Sequence, residues 1–233
     1  MVLREAALRV GRRTRALLAH IEWKLDALVL NRRFGFPREA AEIVWLADLG
    51  LAEPGRNSYS PSSWGALKSI LPASEVRPDD VFIDLGCGMG RVVFEAAGYP
   101  FRRVLGVDIA PSLVEAASAV IERNRHKFRC RDVELAVADV ATYRVPDDVT
   151  VAYVASPVEG ALFEALLRRL IESVDRNPRR LRLIYVDPRR NAVLEADRRI
   201  AHVRNWRRGL RRWEPADYIR MYEILPADPL GGR

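Results

Sequence analysis

From Asp80 onward the chain alternates short apolar runs with stretches whose apolar residues recur every three or four positions. Residues 81–85, 104–109, 133–140, 149–155 and 181–186 are strand-length runs rich in valine, leucine and isoleucine. Between them, Val92, Val93, Ala96 and Ala97 predict one helix, and Leu113, Val114, Ala117, Val120 and Ile121 after Pro111 predict a second. Residues 158–174 predict a third. Strands that alternate with helices imply a parallel sheet covered on both faces. The end differs, because residues 200–206 and 218–225 have no long helix between them and predict an antiparallel pair.

Upstream the pattern is helical. Leu3, Ala7, Val10, Leu17, Ile21, Leu25 and Leu28 form one apolar face. A second helical stretch is predicted after Pro37, through Ala40, Ile43, Val44 and Leu46 toward Gly50. Residues 53–61, with Pro54, Gly55, Asn57 and Ser60, read as a loop, and residues 62–71 as a short helix stopped by Pro72. The expected organisation is an N-terminal helical cap over residues 1–75 and an α/β domain over residues 76–233.

Composition narrows the class. At 233 residues, 49% hydrophobic and 30% charged, the chain suits one water-soluble domain with an extension, not a disordered or membrane-spanning protein. Arg12 and Arg13 precede an apolar run, but His20, Glu22, Lys24 and Asp26 interrupt it before it reaches signal or transmembrane length. The arginines crowding the start leave membrane-surface attachment as a second use of the helix, beside packing on its own chain. Two cysteines, Cys87 and Cys130, provide no disulfide framework and no zinc ribbon, so a reducing cytoplasm is the expected setting. The net charge of +7 is carried almost wholly by arginine and concentrates between residues 176 and 220.

The informative segment is Asp84-Leu85-Gly86-Cys87-Gly88-Met89-Gly90-Arg91. Its glycines let the backbone turn sharply at a strand end and admit a ligand close to the main chain. A nicotinamide fingerprint would place its third glycine where Arg91 stands. The spacing, with an acid two residues ahead, resembles motif I of class I S-adenosylmethionine-dependent methyltransferases, in particular small prokaryotic members. The resemblance extends over residues 79–225. It implies a Rossmann-like seven-stranded sheet, mostly parallel with an antiparallel C-terminal strand, and S-adenosyl-L-methionine as cofactor.

It also implies roles. Asp84, Gly86, Gly88 and Gly90 would line the amino-acid part of the cofactor, Asp108 would accept from both ribose hydroxyls, and Asp139 would face the adenine amine with the backbone N–H of Val140 on a ring nitrogen. Ser58-Tyr59-Ser60-Pro61-Ser62 is similar to a segment that closes over the cofactor, which implies Tyr59 and Ser62 nearby. Asn31-Arg32-Arg33-Phe34-Gly35 is similar to another upstream segment of that subgroup, without an assigned task. Read singly, Asp108 is also a helix-entry residue, Asp139 a turn residue and Tyr59 a core tyrosine.

The acceptor end of such enzymes follows the fourth strand, here Ala155-Ser156-Pro157-Val158-Glu159. Ser156 and Pro157 match an amino-directed motif, while Val158 and Glu159 depart from it. The catalytic candidates are therefore Ser156, to position the acceptor, and Glu159, as a base. The competing readings are a strand-end cap for Ser156 and a first-turn acid for Glu159. His20, His126 and His202 fall beside no motif, no metal-ligand cluster is visible, and Cys87 reads as a packing residue. Trp206, Trp213, Tyr218 and Tyr222 lie among arginines, which suits either a hairpin with aromatics inward or a nucleic-acid surface. The expected function is methyl transfer to a small-molecule or protein acceptor, with RNA less favoured. The departures at Val158 and Glu159 keep a non-catalytic cofactor-binding protein as the alternative.

Overall fold

A computed structural model of the chain describes residues 28–187, 191–207 and 218–227. The first 27 residues, with most of the predicted N-terminal helix and His20, lie outside the described residues, as do Trp213 and the arginines around it.

Residues 28–34 are helical (α1). They lead into a single 3-10 turn, Arg38–Ala41, in place of the longer helix predicted after Pro37. Beyond it Val44 pairs with Tyr59 as an antiparallel bridge, with Ile43 and Trp45 exposed on either side. That in-and-out alternation has period two, so the β-branched pair Ile43-Val44 serves extended backbone. The short helix α2, Ala66–Ile70, follows.

The α/β portion runs β1 (Val81–Leu85), α3 (Arg91–Ala97), β2 (Arg103–Asp108), α4 (Pro111–Asn124), β3 (Val133–Val137), β4 (Val151–Val154), α5 (Gly160–Arg176), β5 (Leu181–Val186), α6 (Asn191–Ala196), β6 (Ile200–Arg207) and β7 (Tyr218–Ile224). The strands form one seven-stranded sheet in the order β3-β2-β1-β4-β5-β7-β6. β1 to β5 are mutually parallel, and β7 lies antiparallel between β5 and β6. The Rossmann-like α/β sheet with an antiparallel end is therefore as expected. Helix α6 went unanticipated, and β3 stops at Val137, leaving Asp139 beyond the strand.

Two apolar cores flank the sheet. Phe82, Val104, Val151, Tyr153 and Ile184 join one with α2, α3 and much of α4. Val81, Ile83, Leu85, Val107, Val154 and Leu183 join the other with α5. Alternate residues of each strand enter opposite cores, which is why these strands read as unbroken apolar runs. Helix α5 buries Phe163, Leu166, Leu167, Leu170 and Val174, one stripe at helical spacing. Truncating Leu170 there would cost about 2–5 kcal/mol. No helix joins β3 to β4; Val140, Val145 and Val149 of that connection are buried in the α5-side core.

The N-terminal segment is fastened to the sheet domain by polar side chains. Trp64 Nε1 and Arg91 Nη2 donate to Asn31 Oδ1 at 3.1 and 3.2 Å. Asn124 Nδ2 donates to the Phe34 carbonyl at 2.8 Å, and Arg123 Nη1 to that of Gly35 at 2.9 Å. The ring of Phe34 packs on Trp64 and Phe94. This docking supplies a task for the Asn31-Arg32-Arg33-Phe34-Gly35 segment. Among the described residues, no helix is long and apolar enough to cross a membrane.

Candidate functional site

The sheet order reverses between β1 and β4, where strands leave in opposite directions and open a crevice at their carboxyl ends. An open cleft of about 780 Å³, counting solvent at its mouth, lies there. Its lining draws on the end of β1 and the loop after it (Asp84, Gly86, Cys87), the end of β2 (Asp108, Ile109), the β3 exit (Asp139, Val140), the β4 exit and the 56–62 segment.

The glycine loop is held from below. Gly86 N and Cys87 N both donate to the Val107 carbonyl, and Gly88 N donates to Asp108 Oδ2 at 2.8 Å. Asp108 Oδ1 accepts from Ala110 N at 3.0 Å, so one carboxylate ties the loop to the entry of α4. Burial raises the Asp108 carboxyl above its ordinary range, against the lowering effect of the Ala110, Gly88 and Ile109 N–H groups. Asp84 is buried, and desolvation plus the nearby Asp108 charge push its carboxyl well above the carboxylate range.

Positive φ marks Gly86 at 91° and Gly88 at 51°. A Cβ on Gly86 would lie 2.4 Å from Pro157 Cβ, and one on Gly88 would lie 2.3 Å from Tyr59 Cδ2 and Cε2. The loop is bare so that Pro157 and Tyr59 can close on it. The Tyr59 hydroxyl donates to the Ala40 carbonyl at 3.3 Å, and burial pushes that phenol up to about 12.

Residues 55–59 form a strap paired with the segment after β4. Arg56 bridges Val158, Asn57 N donates to Pro157 O at 2.9 Å, and Glu159 N donates to Gly55 O at 2.6 Å. At one end Arg56 Nη2 donates to Asp139 Oδ2 at 2.9 Å, while Asp139 Oδ1 accepts from Ala141 N. At the other end Tyr59 covers Gly88. The backbone N–H of Val140 donates to no group among the described residues.

The lining passes from Ala155 to Pro157 and Val158 and leaves out Ser156 and Glu159. The Ser156 hydroxyl lies 3.0 Å from the carbonyls of both Val186 and Asp187, joining the ends of β4 and β5. Glu159 Oε1 accepts from Asn57 Nδ2 at 3.3 Å, and the same nitrogen donates to Ser156 O at 2.7 Å. Ser62 reaches the cleft, and its carbonyl accepts from Arg91 Nη1.

Three residues of the site carry no distinguishing mark in the sequence. Arg56 and Asn57 sat in a stretch read only as loop, and Arg91 was noted only for not being glycine. Arg91 is buried, with its guanidinium 5.4 Å from the Trp64 ring and donating to the Ser62 and Ala40 carbonyls and to Asn31 Oδ1. Burial lowers its basicity. It ties Asn31, Ala40 and Ser62 to the start of α3.

His126 sits in the turn after α4 and His202 on β6, bonded to Asn205; neither lines the cleft. Cys87 is buried in the loop with its thiol raised by desolvation. Among the described residues no three His, Cys, Asp or Glu side chains gather to hold a metal ion. In the terminal pair Tyr222 is fully buried and Trp206 packs on the core, while Arg204 pairs with Glu75 and Arg220 with Glu195.

Comparison with known proteins agrees with this architecture. A sequence family described as methyltransferase domain matches residues 82–177. The chain is 34% identical over 67 residues to a protein-lysine N-methyltransferase of Saccharolobus islandicus (strain REY15A), covering 28% of this chain and 42% of that protein. It is 41% identical over 73 residues to the ribosomal protein L11 methyltransferase of Burkholderia mallei (strain NCTC 10229), covering 31% of this chain and 20% of that protein. The matches thus span less than half of each relative's length. Among solved structures, an RNA methyltransferase from Salinibacter ruber in complex with S-adenosyl-L-homocysteine superposes with a TM-score of 0.52 at 21% identity, over 74% of this chain and 98% of that one. At that identity the likeness concerns the fold alone. The reversed strand order and the glycine loop agree with the match of residues 82–177 to a methyltransferase domain.

Proposed function

We propose that this chain binds S-adenosylmethionine in the cleft and transfers its methyl group to an amino group of a protein side chain, with residues 1–75 as cap and residues 76–233 as the catalytic domain. The observation that carries the reading is the convergence in one cleft of Asp84, Asp108 and Asp139 with the glycine loop and the segment after β4.

These residues fit the cofactor's groups. A ribose diol needs a carboxylate acceptor, which Asp108 offers with its position fixed by Gly88 and Ala110. An adenine ring needs an acceptor for its amine and an N–H for a ring nitrogen; Asp139 and the undonated Val140 N–H supply them. Gly86 and Cys87 line the cleft where the amino-acid part would lie, with Asp84 beside them, while Gly88 packs under Tyr59 and Gly90 against Ala117 of α4. When bound, S-adenosylmethionine supplies a methyl already activated on a sulfonium. The chain is then required to align the acceptor in line and exclude water. Ser156 and Glu159 mark the acceptor end through their backbone, which the strap covers.

A protein acceptor is supported by the relatives, named as protein-lysine and ribosomal-protein methyltransferases, whose matching stretches fall within less than half of their length. Isotope transfer tests the whole reading. Purified protein and methyl-labelled S-adenosylmethionine should label a protein fraction of lysate. Label in RNA or in small molecules would overturn the acceptor class, and cofactor binding without transfer to any fraction would favour a non-catalytic binding protein.

A further inference from the structure

The Ser156 hydroxyl, the polar group expected to meet the acceptor, points to the carbonyls of Val186 and Asp187. A hydroxyl has one hydrogen to donate, and both neighbours accept only. Ser156 also has a φ of 48°, a left-handed conformation that turns the chain at the strand end. Ser156 is also absent from the lining of the cleft, which passes from Ala155 to Pro157, so the lone pairs its hydroxyl keeps are not presented there.

Asn57 lines the cleft from the strap, and its backbone N–H is bonded to Pro157, the residue that packs on Gly86. Its amide orientation follows from its neighbours. Nδ2 faces the Ser156 carbonyl at 2.7 Å and Glu159 Oε1 at 3.3 Å, two groups that accept and do not donate, so the nitrogen must be on that side. Oδ1 then lies across the Cβ–Cγ axis from Nδ2, turned away from Ser156 and Glu159, and it accepts no hydrogen bond among the described residues. It is an acceptor that no described residue uses, on a residue that lines the cleft.

We infer that Asn57 Oδ1 positions the methyl acceptor by taking a hydrogen bond from it, and that the acceptor is a neutral amine. The inference rests on the cofactor reading above. An amide oxygen cannot remove a proton before attack, so it suits a nucleophile that has a lone pair and an N–H to spare. Holding one N–H aims the lone pair. The nitrogen lone pair forms the N–CH3 bond as the S–CH3 bond breaks, sulfur takes the bonding pair and becomes neutral, and the methylated nitrogen sheds one proton to water. Glu159 acts as a positioning residue, through the Asn57 amide.

Sinefungin gives a test that needs no known acceptor, because it carries an amine at the position of the transferred methyl, whereas S-adenosylhomocysteine has nothing there. Both affinities are measured by calorimetry on the full chain. The wild type should prefer sinefungin, and Asn57→Ala should reduce that preference roughly tenfold, the worth of one hydrogen bond to a charged amine. Ser156→Ala should leave the preference unchanged. A merely structural strap residue would weaken both ligands alike and leave the ratio intact, so an unaltered ratio in Asn57→Ala overturns the inference. A ratio that follows Ser156→Ala overturns it too. Should Asn57→Ala fail to fold, Asn57→Ser carries the same expectation. Failure of the wild type to bind S-adenosylhomocysteine would instead remove the cofactor reading itself.

Discussion

Replacing Gly88 with alanine isolates the contact that closes the strap over the glycine loop. The new Cβ would stand 2.3 Å from Tyr59 Cδ2 and Cε2, whereas carbon atoms rest at about 3.5–4.0 Å, so the ring must retreat by more than about 1 Å. Tyr59 cannot swing away freely, because its hydroxyl is bonded to Ala40 and its backbone to Val44. Crowding of this kind costs about 1–3 kcal/mol. An L-residue at a φ of 51° adds about 1–2 kcal/mol. Gly88→Ala should therefore destabilise by about 2–5 kcal/mol in the wild type. In a Tyr59→Ala background the ring is gone, and only the backbone cost of about 1–2 kcal/mol should remain. Thermal unfolding of the four proteins reads this directly, since 1 kcal/mol moves the midpoint by roughly 2–4 °C at this chain length. Calorimetry with S-adenosylhomocysteine on the same proteins should show Gly88→Ala weakened. Equal destabilisation in both backgrounds would show that Tyr59 does not lie over Gly88, and the strap argument would fall with it.

Asp108→Ala should cost on the order of 2–4 kcal/mol in S-adenosylhomocysteine affinity, and Asp139→Ala less, because the Val140 N–H still serves the adenine; titration calorimetry giving the reverse order would exchange their roles. Asp139→Ala should in addition lower the melting midpoint, since Arg56 and Ala141 N lose their acceptor. Glu95, beside Gly65 and Arg91, is raised by burial from 4.5 to about 7. Its folded form therefore holds a proton that the unfolded chain has released, and the resulting stability, at most about 3 kcal/mol, is present below pH 4.5 and lost as pH rises through about 7. The midpoint of the wild type should accordingly fall relative to Glu95→Gln between pH 5 and 8, and a gap that does not move with pH would contradict this. Ser156→Ala should lower stability by about 1 kcal/mol, from the lost bonds to Val186 and Asp187, while leaving S-adenosylhomocysteine affinity unchanged. A weakened affinity would place its hydroxyl in the cleft.

Much of the fold was open to a reader of the chain. Val81, Phe82, Ile83 and Leu85 had to be a strand buried on both faces, and Pro111 with the stripe from Leu113 to Ile121 had to be a helix, because their partners are dictated by local periodicity. The glycine loop and Asp108 were legible for the same reason, since a turn at a strand end followed by a helix is a local event. After Pro37, Ile43, Val44 and Leu46 fit a helical spacing, while the bridge to Tyr59 holds Val44 extended and a turn starts at Leu46.

The working end of the cleft was decided elsewhere. Whether the hydroxyl of Ser156 meets a substrate or the carbonyl of Val186 depends on a residue 30 positions away, and the orientation of the Asn57 amide depends on Ser156, 99 positions away. Likewise Arg56 finds Asp139 across 83 positions, and nothing in a loop of mixed polar residues marks it among the many arginines. Sequence by itself determined the strands and helices from β1 to β5 and which acids and glycines stand at the strand ends. Only the tertiary structure decided which of those polar groups are consumed by one another and which remain for a ligand, because a hydrogen-bonding group is spent by whatever the fold brings within 3 Å of it.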